Sequence, residues 1–506
     1  MSIHINKTEV EQWDYIELTL YGPEHGNPFI DVKIEANFRN EDKEYLIKGF
    51  YDGSGIYKIR FMPEKTGFWS YTTVSNVDEL NGLNGEFVCI EASSANHGPV
   101  RVHNKFHFHY ADNTPYFPFG TTCYAWVHQG KEMEEKTLNT LKQTPFNKIR
   151  MCVFPKRYIY NENEPELYPF EGSLEGGWDF TRFNTEFFRH FEKRILDLMS
   201  IGIEADIILF HPYDKGHWGF DRMDAQTDDR YLKYVISRFA AFRNVWWSLA
   251  NEFDFMKEKD ISDWDRFLDI IANNDPYGHL CSIHNGYEFY THWKQGITHV
   301  SIQNGSAVAD FGRAGLMREV YNKPIIYDEV CYEGDIERRW GNISAEEMVH
   351  RFWQGIIAGT YVTHGESYLH PQDIIWWAKG GVLHGQSPQR IAFLKKIIEE
   401  GPKDGINPID KWQNLKLAGK AGEYFLYYFG KEQVKEWKFE LPVKSELKEG
   451  TRLKLEIIDT WNMTITPVDE VFEAVKKDMY TMIDKEGKMV KLPDKPYIAL
   501  RISVID

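Results

Sequence analysis

Between about residues 7 and 92, apolar and polar positions alternate with period two. Tyr15-Ile16-Glu17-Leu18-Thr19-Leu20 is the clearest case, and the stretches around Val32–Ala36 and Tyr57–Phe61 follow it. This period puts every apolar side chain on one face of a strand. Turn signals such as Asp52-Gly53-Ser54-Gly55 separate the strands, so a small antiparallel β-sandwich is predicted. Ser93-Ser94-Ala95-Asn96-His97-Gly98-Pro99 reads as a linker. From about 100 to 400 the pattern changes to short apolar runs alternating with helical stretches. The runs are Tyr116–Phe119, Lys148–Val153, Glu204–Phe210, Val245–Leu249, Leu280–Ile283, His299–Ile302, Pro324–Tyr327 and Gly359–Thr363. Helices are clearest over Asp229–Phe242, capped by Thr227 or Asp228, and over Ala345–Ile357, capped by Ser344. Beyond about 405 the chain returns to strands, best seen in Glu423–Phe429, Arg452–Ile458 and Tyr497–Ile502.

The pattern predicts a multidomain chain with a central (β/α)8 TIM barrel flanked by N-terminal and C-terminal β-sandwich domains. The predicted boundaries are 1–95, 96–404 and 405–506. The segment from about 156 to 180 is long, aromatic and glycine-rich, and reads as a loop over the barrel mouth.

Two runs end in carboxylates. Trp246-Trp247-Ser248-Leu249-Ala250-Asn251-Glu252 closes the fourth strand, and Lys323-Pro324-Ile325-Ile326-Tyr327-Asp328-Glu329 the seventh. In a barrel, the carboxyl ends of strands carry the chemistry. A carboxylate buried there is costly unless it has a task or a partner. Two of them suggest the acid/base pair of a glycosidase. Asp328 and Glu333 compete with Glu329 in sequence. Asp328 is disfavoured because adjacent side chains on a strand point to opposite faces.

Asn-Glu after strand four with a second Glu after strand seven resembles the large clan of retaining (β/α)8 glycoside hydrolases. Arg150 in Lys148-Ile149-Arg150-Met151 matches an arginine common on that clan's second strand. Gly49-Phe50-Tyr51-Asp52-Gly53, Arg60-Phe61-Met62-Pro63 and Gly67-Phe68-Trp69-Ser70-Tyr71 resemble the DUF5060 domain. The barrel resembles DUF4038-type glycosidases, and the tail the DUF5605 domain. The resemblance implies that Glu252 is the general acid/base and Glu329 the nucleophile. It implies no cofactor. Two departures stand out: no clear Tyr follows strand six to orient the nucleophile, and strand eight ends in Glu366 rather than Trp.

Other polar residues at strand ends are candidate hydroxyl binders around one sugar: Asn251, Arg150, His211, His284, Asn285, Gln303, Asn304, His364 and Glu366. Trp126, Trp218, Trp376 and Trp377 are candidate stacking walls; for each, core packing is an equal alternative. No His-x-His follows strand one, where Thr121-Thr122-Cys123-Tyr124-Ala125-Trp126 stands, so no metal site is expected. No Gly-x-Ser-x-Gly elbow occurs.

Composition narrows the partners. The 16 Trp, 28 Tyr and 33 Phe suit large cores or an aromatic sugar groove. A net charge of −17 without a basic cluster argues against nucleic acid and anionic membranes. Five dispersed cysteines read as buried free thiols. With no signal peptide in view, they point to a cytoplasmic enzyme. The expected activity is retaining, exo-acting hydrolysis of short oligosaccharides or glycosides. The alternative is a non-catalytic carbohydrate-binding protein on the same barrel. The partner is a carbohydrate, and a homo-oligomer is allowed for.

Overall fold

The computed structural model describes residues 3–303, 312–369 and 375–505. Asn304, one of the hydroxyl binders expected from sequence, lies outside them.

Eight parallel strands form the centre: β1 (Gly120–Thr122), β2 (Lys148–Cys152), β3 (Glu204–Phe210), β4 (Val245–Ala250), β5 (Cys281–Ser282), β6 (Val300–Gln303), β7 (Ile325–Glu329) and β8 (Tyr361–His364). Their order is β5-β4-β3-β2-β1-β8-β7-β6. The two edge strands approach each other through a parallel bridge between His284 and Ser301, and Thr298 N–H donates to the Cys281 carbonyl at 2.9 Å. The sheet is thus a nearly closed barrel. Helices α1 (Lys131–Leu141), α2 (Thr185–Ser200), α3 (Ala225–Phe239), α4 (Ile261–Asn274), α5 (Arg313–Tyr321), α6 (Ala345–Ile357) and α7 (Ser387–Glu400) follow the strands in turn. The β5–β6 connection carries no helix.

The first strand lies four residues later than the sequence predicts. Pro118 interrupts the run Tyr116–Phe119 and has no N–H for a ladder. Tyr116 belongs instead to Pro115–Tyr116, which pairs antiparallel with His107–Tyr110. Helix α3 starts earlier than expected, because Asp224 rather than Thr227 or Asp228 is the cap: its side chain accepts from Thr227 N–H. Ser344 caps α6 as predicted. The expected loop over 156–180 is only partly loop. Phe170–Ser173 and Gly177–Phe183 form a hairpin, and Gly172 and Gly177, with φ of 124° and 82°, supply its left-handed positions.

The N-terminal residues form two facing sheets, of four and five strands. Phe38 and Phe61 stack between them at 4.3 Å. Arg60 anchors these sheets to the barrel helices, donating to Glu192 at 2.6 Å and to the Arg238 carbonyl at 2.7 Å. The C-terminal residues form a curled antiparallel sheet running from Asn407–Asp410 to Glu440–Pro442. Its Tyr428 packs on Trp353 of α6, with ring centres 5.2 Å apart.

Inside the barrel, a buried charge network replaces an apolar core. Lys148 Nζ bonds Asp206 at 2.7 Å and Asp328 at 2.8 Å, and Ser301 and Thr363 hydroxyls also donate to Asp328 at 2.5 and 2.7 Å. Asp328→Ala removes a fully buried carboxylate and leaves Asp206 to face both the Lys148 and Arg150 charges. Unfolding in urea is expected to show a loss of about 3–5 kcal/mol. A loss below about 1 kcal/mol would mean that this network carries little stability.

Candidate functional site

At the carboxyl end of the strands, a cleft of about 640 Å³ opens between the end of β6 and the loops after β1, β2, β3, β4, β5, β7 and β8. Glu252 and Glu329 both line it. Glu329 is the last residue of β7. Glu252 follows Asn251 just beyond β4 and adopts a left-handed φ of 51°. A non-glycine residue held there signals a local constraint. Only 5% of Glu252 is exposed.

Polar side chains fill the space between the carboxylates. Tyr213 donates its hydroxyl to Glu252 Oε2. Asn251 Nδ2 donates to the same oxygen at 3.3 Å. The Tyr124 hydroxyl meets Glu329 Oε1 and lies 3.1 Å from Asn251 Oδ1. Burial, and then the charge of the neighbouring glutamate, hold both phenols well above their ordinary range. They are therefore donors at neutral pH. Burial first, and the nearby Glu329 second, push the Glu252 carboxyl up to about 7.

Lys156, just after β2, enters between these groups. It is buried, with Nζ 3.9 Å from the Tyr124 ring centre and 4.1 Å from that of Tyr213. Burial lowers its pKa. A wall of rings rises behind it. Trp377 lies 5.0 Å from Trp340, 5.7 Å from Tyr158 and 5.9 Å from Tyr332. Tyr287 and Phe289 stand exposed at the opposite rim.

Of the other residues expected from sequence, Asn251 is buried between the carboxylates, and Gln303, Asn285 and Trp377 line the cleft. Gln303 N–H donates to Asn285 Oδ1 at 3.1 Å. The remaining candidates do not reach the cleft, and each has a physical reason. Arg150 is wholly buried beneath it, 3.6 Å from Asp206 and 3.5 Å from the Tyr124 hydroxyl. His211 bonds the Phe154 carbonyl through Nε2 at 3.1 Å and accepts from Tyr213 N–H through Nδ1 at 3.1 Å. Burial takes its pKa down to about 4, so it is a neutral brace for the turn bearing Tyr213. His284 is buried in the barrel, with neither ring nitrogen bonded among the described residues. His364 stacks on Phe146 at 4.7 Å, and its Nδ1 lies 3.1 Å from Thr121 Oγ1.

Glu366 accepts from His384 and Gly385 N–H at 2.6 and 2.8 Å, anchoring the loop before α7. Glu333 holds Gln386 and Ser387 N–H in the same loop at 2.8 and 3.1 Å and so is no rival to Glu329. Asp328 points into the barrel network. Trp126 and Trp376 are core residues, the latter donating to Thr121 Oγ1 at 2.8 Å. Trp218 is buried and donates to Glu164 Oε2 at 2.9 Å. Four cysteines are buried free thiols; Cys331 is half-buried and lines the cleft.

Sequence reading missed Tyr124, Tyr213 and Lys156. With β1 at Gly120–Thr122, Tyr124 stands two residues past the strand end, where Tyr116–Phe119 as strand one would leave it deep in a loop. Tyr213 was signalled by its place two residues beyond His211. No tyrosine directly follows strand six in the sequence; the phenol at Glu329 comes from the loop after β1.

A barrel with two hydrogen-bonded carboxylates at its carboxyl end defines the glycosidase class. Residues 102–419 match the family described as apiosidase-like, catalytic domain. The chain belongs to that family and is a glycosidase. Residues 9–76 and 412–503 match DUF5060 and DUF5605, both domains of unknown function. A crystal structure from Bacteroides vulgatus ATCC 8482, of a protein named as a candidate glycoside hydrolase, is 44% identical. It covers 99% of this chain and 100% of its own, with a TM-score of 0.96. A glycoside hydrolase family 5 structure from the same organism is 16% identical, covers 81% and 94% of the two chains, and has a TM-score of 0.58. That likeness is of fold. No curated protein matches the chain.

Proposed function

We propose that the protein is a retaining, exo-acting glycosidase of short oligosaccharides or glycosides. In this reading a (β/α)8 barrel over 96–404 carries the site, and β-sandwiches over 1–95 and 405–506 flank it. Its place is the cytoplasm, in keeping with five free cysteines. The observation that carries the reading is the pair of strand-end carboxylates in one cleft, Glu252 met by Tyr213 and Asn251 and Glu329 by Tyr124. Burial and the neighbouring Glu329 raise the Glu252 carboxyl to about 7, and the Tyr124 hydroxyl meets Glu329 Oε1.

Glu252 gives its proton to the glycosidic oxygen as Glu329 attacks the anomeric carbon. The aglycone leaves, and an ester joins sugar to Glu329. Glu252, now an anion, takes a proton from water. The resulting hydroxide adds to the anomeric carbon and frees Glu329, and two inversions give net retention. The aromatic wall of Trp377, Trp340 and Tyr158 blocks one side of the cleft, which favours release of single sugars from a chain end.

A panel of aryl glycosides of hexoses, pentoses, deoxy sugars and apiose tests this, with the anomer of the first product read by NMR. Apiose is included because the family description names it. First products of retained configuration and single-sugar length support the reading. Inverted or mixed-length products overturn retention or exo-action respectively, and no turnover on any glycoside favours the binding-protein alternative.

A pH profile follows from Glu252. The active form carries the proton, so kcat/KM is expected to fall as pH rises through about 7. Glu252→Gln, measured on a substrate with a good leaving group, should lose that limb. A limb unchanged in the variant would assign it to another group.

A further inference from the structure

Lys156 stands out within the cleft. Its ammonium carries three donors. It lies 3.9 to 5.8 Å from the ring centres of Tyr124, Tyr213, Trp377 and Tyr158. Ring faces attract the charge but do not satisfy N–H groups as an oxygen does. Among the described residues its ammonium makes no hydrogen bond or ion pair. Arg351, another cation at the cleft, pairs with Glu347 at 2.9 Å. Only 3% of Lys156 is exposed, and its side chain lines the cleft, where a bound ligand can meet its donors. Its backbone is fixed, because its carbonyl accepts from Asn161 Nδ2 at 2.5 Å. Two of the rings belong to the tyrosines that hold Glu252 and Glu329, so the ammonium sits beside the reacting centre.

We infer that Lys156 is a glycone-recognition residue: its ammonium donates hydrogen bonds to a hydroxyl oxygen of the sugar held between Glu252 and Glu329. This rests on the glycosidase reading. The boxed cation reads one hydroxyl position by charge-assisted hydrogen bonding, while the rings around it exclude water. It also opposes the proton on Glu252, whose carboxyl would hold that proton more tightly without it.

The test pairs Lys156→Met, which keeps the length and apolar contacts of the side chain, with the aryl glycoside turned over best and its monodeoxy analogues. On the parent glycoside, kcat/KM is expected to fall about 10- to 100-fold. One deoxy analogue should already show that loss with the wild type and lose little more in the variant. The alkaline limb should move to higher pH in Lys156→Met and stay in place in Lys156→Arg. Lys156→Gln replaces Lys156→Met if thermal melts show the latter unfolded. Equal losses on the parent and on every deoxy analogue, with an unmoved limb, overturn the inference and leave Lys156 a packing residue. Should the wild type hydrolyse no glycoside, the glycosidase reading fails first. Calorimetry of the parent and deoxy monosaccharides with wild type and Lys156→Met then decides, and equal affinities for both proteins overturn the role of Lys156.

Discussion

Glu329→Ala is expected to lower kcat on every glycoside by on the order of 10⁴ or more. The variant should keep its fold, because Glu329 is a strand-end residue whose hydrogen-bond partner is the Tyr124 hydroxyl rather than the barrel network. The loss should not depend on the leaving group. No proton donor compensates for a missing nucleophile, and Asp328 cannot substitute because Lys148, Ser301 and Thr363 hold it inside the barrel. The alanine leaves space at the face from which Glu329 would attack. Added azide should enter that space, restore turnover and form a glycosyl azide of inverted configuration. NMR of that product decides the matter. Azide rescue with retention would assign the nucleophile to another residue, and undiminished activity would remove Glu329 from the mechanism.

Glu252→Ala is expected to divide substrates by leaving group. Where the departing oxygen needs a proton, loss of the acid should cost about 10² to 10⁴ in rate. Where the leaving group is an acidic phenol, the first step should survive and the glycosyl–enzyme ester should accumulate, since its hydrolysis needs the same residue as base. A burst of phenol followed by slow turnover is the kinetic sign. Azide needs no base and should speed the second step, giving a product of retained configuration. A uniform loss on all leaving groups, without burst or rescue, would count against Glu252 as the acid/base. Tyr213 matters here as well, because its hydroxyl is the donor nearest the carboxyl that must keep and then lose a proton.

Apart from β1, the central parallel strands and the two carboxylates at their ends were legible in the sequence. Runs such as Val245–Leu249 and Pro324–Tyr327 are mostly apolar because both faces of these strands are buried. Each is followed within three residues by a glutamate, so Glu252 and Glu329 were legible as strand-end acids. The alternation rule also set Asp328 apart from Glu329, and the barrel network holds Asp328 as that rule requires. The tertiary structure alone decided what surrounds the carboxylates. Arg150 lies within a strand and His211, Glu366, Trp126 and Trp376 follow strands in sequence, yet packing and loop anchoring place them in the core or beneath the cleft. Tyr124, Tyr213 and Lys156 come from three different loops, and no local spacing relates them. A strand run reports which positions are buried through a period that repeats within a few residues. A pocket is assembled from loops far apart in the chain, so its membership exists only once the barrel has closed.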